Sequence, residues 1–454
     1  MRSVISRFGS GLRRMERSEL MVASLLTAML IAGFLFGGSA TDRPAGFLSL
    51  PLLASATLIV ATWRLVDQDV ARMRFPLILC LGLVSLPLLQ LVPLPYDAWT
   101  AMGGRELARD TLTAIGAGEP SRPLSLTPSK TIDALVWLIV PIAAFLGVAA
   151  LGSAARRWLL GVFLALSTVG LALAIFQLQA GPTESLLPYE HVNMGAATGF
   201  FANRNHQAAS LAVAIVLVGG INAGAMRLRS RSRASAAAYV QLGLIGLFFA
   251  GALATVSRAG LIMSGLAVVT SLVLLLSPRR DGQPLGARTW WLLAMAAVVG
   301  AAALLGLEPV LDRFDRQGPE GRFEYWPSIA RSAVEAFPWG TGLGSFDPVM
   351  RSIEPLHLLS PNYMNEAHND YLQLLLEAGV AFPVLLIAVV AWLALDVRRR
   401  FAAAPLDEQR LALAALTGLG LLALHSVADY PMRTPALAIV VAMMFGFLVR
   451  PAGR

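Results

Sequence analysis

The sequence predicts an all-α, polytopic membrane protein with about 12 transmembrane helices and a large outer loop carrying short helices. Three observations predict it. Hydrophobic residues make up 56% of the 454-residue chain and charged residues only 14%, where soluble domains carry about 25% charged residues. Apolar runs near the ~20 residues that cross a bilayer recur along the chain. Basic residues gather in alternate connections between those runs, as cytoplasmic loops do.

Taken in order, "MRSVISRFGSGLRRMERSEL" is basic and leads into the apolar "MVASLLTAMLIAGFLFGG". "GSA" at 38–40 resembles a signal-peptidase site, but the apolar run exceeds the roughly 7–15 residues of a signal sequence. An uncleaved first helix at 20–38, its N-terminus inside, is therefore expected. Further helices are expected near 47–63, 76–94, 133–151, 158–179, 207–226, 238–256, 260–277, 289–307, 379–396, 411–427 and 436–450. There is no internal repeat and no low-complexity tract. One set of alternate connections holds 23 of the 36 Lys and Arg, including "RLRSRSR" at 227–233 and "RRR" at 398–400. That set is cytoplasmic by the positive-inside rule, and both termini lie with it.

The longest loop, about 308–378, then faces outward. Within it "RFEYWPSIARSAVEAFPW" has helical spacing around Trp326, Ile329, Ala330, Val334 and Phe337, with Pro338 as the stop. "TGLGSF" at 341–346 reads as a turn, and "GAGEPSRP" marks turns in a second outer loop, 95–132. The chain divides into N-terminal helices (1–194), a central region (195–385) and C-terminal helices (386–454).

Several function classes lose support. The net charge of +8 belongs to loops and not to a basic domain, so membrane lipids and no nucleic acid are the expected partners. Cys80 is the one cysteine and forms no intrachain disulfide. "DQD" at 67–69 resembles a nucleotide-sugar transferase motif but lies in a short cytoplasmic loop. Walker, HExxH and GxSxG motifs are missing. "EAHND" at 366–370 matches no metal-ligand spacing, and no metal is expected. No Asp, Glu, Lys or Arg falls well inside an expected helix, with His425 the one ionisable candidate. Ion-coupled pumps keep such residues at mid-membrane, so the surviving transporter alternative is uncoupled passage of a small anion.

The candidate residues all lie on the outer side. His368 is either an ordinary hydrogen-bonded loop histidine or a base held at the membrane edge, since imidazole accepts a proton near neutral pH. Asn369 and Asp370 either orient that ring or cap the helix that follows. Arg258, in the tight hairpin "TVSRAGLIM", is either a snorkelling side chain or a phosphate-binding guanidinium held at headgroup level. Arg322 in "GRFEYW" and Arg204 in "GFFANRNHQAA" are two more outer arginines beside aromatics, open to the same two readings.

The ordered set "GFFANRNHQAASLAVA", "SRAG", "GRFEYWPSIARSAVEAFPWGTGLGSF" and "EAHNDYLQLLLEAGV" resembles the O-antigen ligase and polymerase family of bacterial inner-membrane proteins, over roughly residues 195–385. The resemblance implies a glycosyltransferase that moves oligo- or polysaccharide from undecaprenyl diphosphate to an acceptor hydroxyl on the periplasmic face. It implies no cofactor, a metal-independent inverting displacement, and lipid A–core or a carrier-linked glycan as acceptor. His368 resembles the family's essential base, and Arg258 and Arg322 its diphosphate-binding arginines. Arg204, between Asn203 and Asn205, matches a more variable position. Trp326, Asn369 and Asp370 fall in the matching motifs as supporting residues. Phe382 stands where ligases often carry a small or hydroxylated residue, so ligase and polymerase both stay open.

Overall fold

The computed structural model describes residues 16–41, 43–66, 70–180, 189, 193, 196–221, 231–276, 322–359, 364–397 and 404–452. The fold is mostly helical. The first half supplies α1 (Arg17–Phe36), α2 (Ser49–Val66), α3 (Arg74–Gln90), α4 (Tyr96–Thr100), α5 (Glu106–Ala114), α6 (Pro128–Trp137), α7 (Ile139–Ala149) and α8 (Ser153–Ala180). There follow α9 (Arg204–Gly220), α10 (Arg231–Ala254), α11 (Arg258–Leu276), α12 (Arg322–Glu335), α13 (Phe346–Ile353), α14 (Asp370–Ala378), α15 (Ala381–Trp392), α16 (Leu406–His425) and α17 (Pro435–Phe447). Two-residue strands β1 (Pro93–Leu94) and β2 (Arg122–Pro123) pair antiparallel across the outer loop between α3 and α6.

Helices stand at eleven of the twelve expected positions, and the expected span at 289–307 lies outside the described residues. Among the described residues six helical segments are long and apolar enough to cross a membrane: 17–36, 45–66, 128–149, 153–179, 236–254 and 258–275. The run expected as one helix at 133–151 is two helices, α6 and α7, that meet at Leu138. Several helices also begin earlier than expected. Arg156, His206 and Arg410, expected in the connections, thereby fall in the first turns of helices, all three buried. Arg156 is accommodated because its guanidinium donates to the buried carbonyls of Val148, Leu151 and Val449, at and just beyond the C-terminal ends of α7 and α17, where a cation is favoured.

α9 is the centre of the bundle. Every residue from His206 to Gly220 is buried, as befits a helix that is apolar on all sides, and α10, α11 and α16 pack around it. Its contact with α11 explains the "SRAG" motif. Ser257 caps α11 by accepting from the Gly260 N–H at 3.0 Å, Arg258 opens the helix, and Gly260 leaves room for α9: a Cβ there would overlap the Ala208 methyl. Small residues let membrane helices approach this closely.

A second, smaller apolar core lies outside the bundle. Tyr325, Ile329 and Ala333 of α12 pack with Phe346 and Met350 of α13, Ala367 and Leu376. The buried stripe of α12 is therefore one position away from the expected one. Val334 and Phe337 point outward, 73% and 49% exposed, an arrangement suited to a helix lying against a membrane surface. The helix that follows His368 is short. α14 ends at Gly379, which takes a positive φ of 56° where a Cβ would strike the Pro338 carbonyl; α15 starts afresh at Ala381, near the start of the span expected at 379–396.

Gly260→Ala is expected to force α9 and α11 apart at an overpacking cost of about 1–3 kcal/mol. A lowered midpoint of thermal unfolding of the purified protein in detergent would show it.

Candidate active site

The residues singled out above meet at the N-terminal ends of α9 and α11, between the small core and the loop joining α16 to α17. His368 precedes α14 with a left-handed backbone, φ 50°. A non-glycine residue holds that conformation only when its surroundings impose it, and here its neighbours are pinned in turn. The Ala367 N–H donates to Gln373 Oε1 at 2.8 Å, and Trp326 Nε1 donates to the Ala367 carbonyl at 2.9 Å. Asn369 caps α14 by accepting from the Leu372 N–H at 3.0 Å. The Asp370 N–H donates to the Ser426 carbonyl at 2.9 Å, and the Ser426 hydroxyl donates to Asp370 Oδ2 at 2.8 Å. Asn369 is thus the cap, and Asp370 is a buried tie to the end of α16.

The ring of His368 is about a quarter exposed (26%) and turns Nδ1 toward Asp429 Oδ1 at 3.5 Å, with Arg322 Nη1 at 3.4 Å from the same nitrogen. Arg322 also donates to the Ala428 carbonyl at 2.7 Å, so it grips the backbone of the loop that carries Asp429. Asp429 is buried, and two further imidazoles face it: His206 Nε2 lies 3.8 Å from Oδ1 and His425 Nε2 lies 3.5 Å from Oδ2. Burial pushes the Asp429 carboxyl up. The contacts from His368 and His425 and the charge of His206 outweigh it and hold the carboxyl well below the usual range. Tyr430 packs its ring edge-on between His206 and His368, at 5.0 and 4.7 Å, and its hydroxyl bonds Asn203. Asn203 in turn caps α9, accepting from the Asn205 N–H at 2.8 Å.

Three arginines converge here. Burial lowers the Arg322 guanidinium, Asp429 and Tyr430 raise it, and the charges of Arg204 and Arg258 lower it again. Arg204 and Arg258 are therefore near enough to repel Arg322 across the site. Although His206, His368, His425 and Asp429 gather in one place, among the described residues no group of three or more His, Cys, Asp or Glu is arranged to hold a metal ion.

The sequence reading missed Asp429, Tyr430, His206 and Arg433. The signal was an outer loop, "SVADYPMR" at 426–433, that sets an acid, a phenol and a guanidinium between two apolar helices. Arg433 is the site's other charged centre. Its Nε is 3.4 Å from both Glu366 and Asp370, and its Nη2 is 3.2 Å from Glu377.

Residues 242–381 match the family model described as O-antigen ligase. Over that stretch the chain is similar to the O-antigen ligase family. The matched stretch contains Arg258, Arg322, Trp326, His368, Asn369 and Asp370, whereas Asn203, Arg204, Asn205 and the 426–433 loop lie outside it. The O-antigen ligase family implies a membrane enzyme of the ligase or polymerase type that works on lipid-linked glycans. No curated protein matches the sequence.

Burial raises the Glu366 carboxyl to about 7 against the pull of Arg433 and Gln373. A carboxyl raised by folding costs stability as pH climbs from its unfolded to its folded value. Wild type is therefore expected to lose thermal stability relative to Glu366→Gln between pH 4.5 and about 7, with a constant gap above. Unfolding midpoints of both proteins across that range would check it.

Proposed function

We propose that this protein transfers a glycan from a polyprenyl diphosphate, of the undecaprenyl type, to an acceptor hydroxyl at the outer face of the bacterial inner membrane. The observation that carries the reading is a single juxtaposition: a partly exposed histidine backed by a buried carboxylate, beside Arg322, whose guanidinium feels the charges of Arg204 and Arg258. A proton on Nδ1 of His368 directs that nitrogen to Asp429 and leaves Nε2 to take the acceptor's proton. The carboxylate orients the ring and stabilises the imidazolium that forms. The Nδ1–Asp429 contact of 3.5 Å is long, as catalytic hydrogen bonds often are before substrate tightens them.

The acceptor oxygen attacks the anomeric carbon from the face opposite the diphosphate, and the carbon–oxygen bond to the diphosphate breaks with inversion. The acceptor's proton goes to His368, and the departing anion takes the bonding electrons. Arg322, Arg258 and Arg204 hold that anion. Their crowding is what a phosphate dianion would relieve, and forked guanidinium donors suit its oxygens. Trp326, Asn369, Asp370, Asn203 and Asn205 hold the base and the start of α9 in place. No cofactor or metal enters this scheme. The catalytic region then extends beyond 195–385 to include the 426–433 loop.

Ligase and polymerase share this chemistry and differ in acceptor, lipid A–core for one and a carrier-linked glycan for the other. Neither the fold nor the family match favours the anion transporter.

A deletion strain complemented with wild type, His368→Ala, Asp429→Asn or Arg258→Ala tests the reading. Loss of the base is expected to cut transfer about 10²–10⁴-fold, with Asp429→Asn and Arg258→Ala also severely impaired. Core lipid lacking all glycan, with polymer held on the carrier, identifies a ligase. Single repeat units on the core, or loss of secreted polymer, identify a polymerase. Full complementation by His368→Ala would sink the catalytic reading.

A further inference from the structure

Glu366 and Asp370 lie two residues before and two residues after His368, and both contact the one guanidinium of Arg433. Arg433 belongs to the same short loop as Asp429, the carboxylate that faces the His368 ring. A single side chain therefore holds both shoulders of the base's turn from the segment that carries the base's partner. Ser426 joins these segments at the start of the loop, and Arg433 joins them at its end. The third carboxylate, Glu377 at the end of α14, accepts from the Phe346 N–H at 3.2 Å and so ties the cluster to the small outer core.

We infer that Arg433 is a positioning residue for glycan transfer, which acts through Glu366 and Asp370 to set His368 against Asp429. The inference rests on the reading of His368 as the base. Two physical arguments support it. A buried ionic cluster is a weak source of net stability, and an apolar replacement is often as stable. A planar fork of donors, in contrast, fixes the direction of each group it holds, and direction is what a left-handed turn carrying a base requires. The surplus of acid fits as well. Burial lifts Glu366 to about 7 and Asp370 to about 6, so the cluster sheds its last protons only near neutrality. The groups facing Arg433 are these two, Glu377 and, through Asp370, the Ser426 hydroxyl.

The test uses full-length protein in nanodiscs, with donor and acceptor extracted from membranes of the deletion strain. Glu366→Gln and Arg433→Lys are expected to lower kcat about 10-fold or more, with KM for the donor changed less than about 3-fold, as for groups that act on the transition state alone. Added to Asp429→Asn, either change should cost less than about 3-fold further, since residues acting as a unit are not additive. Wild-type kcat in both variants, or losses that multiply with that of Asp429→Asn, would overturn the inference. If Arg433→Lys does not fold, Glu366→Gln decides alone. His368→Ala run alongside separates the two levels: activity retained there refutes the base itself, whereas a dead His368→Ala with fully active Glu366→Gln refutes only the positioning role.

Discussion

A carboxylate removed from water must find its compensation inside the protein, and Asp429 finds it in groups drawn from four separate segments. His206 comes from α9, Arg322 from α12, His368 from the turn before α14 and His425 from the end of α16. Each of these segments is held where the buried acid needs it. The bundle centre, the smaller core and the 426–433 loop are thereby brought to one point, and the His368 imidazole is the partly exposed member of that assembly.

The two apolar cores divide the remaining work. The bundle around α9 sets the positions of Arg204 and Arg258, each the first residue of its helix. The outer core sets Arg322 and His368, again at the start of one helix and just before another. All four side chains therefore leave at or just before helix N-termini, where the helix dipole favours an anion. The arginines reinforce a preference that the backbone already has.

Much of this was legible in the sequence because it is local. The polar "AHND" before an apolar run announced a capped helix start with a histidine beside it, and "SRAG" between two apolar runs announced a hairpin too short to hide its arginine. Long-range and face-dependent features were less legible. Asp429 follows His368 by some sixty residues and sits in no periodic pattern, so nothing local marks it as the partner of that imidazole. The stripe of α12 was read one position off because Val334 and Phe337 are apolar yet exposed, which water-based reasoning does not anticipate. Arg156 and Arg410 looked like loop residues because charge is rare inside membrane helices, yet the structure buries both. For Arg156 the compensation comes from the carbonyl ends of neighbouring helices, which a sequence does not display.

The position of the 426–433 loop, between the last two helices described, has a consequence for biosynthesis. A chain leaves the ribosome from its N-terminus, so Arg204, Arg258, Arg322 and His368 are made before Asp429 and Arg433. Until that loop is made, His368 lacks the Asp429 carboxylate and Glu366, Asp370 and Glu377 lack the Arg433 guanidinium. On the proposed reading of His368, the base therefore stays unaligned during synthesis until the helices on either side of the loop dock.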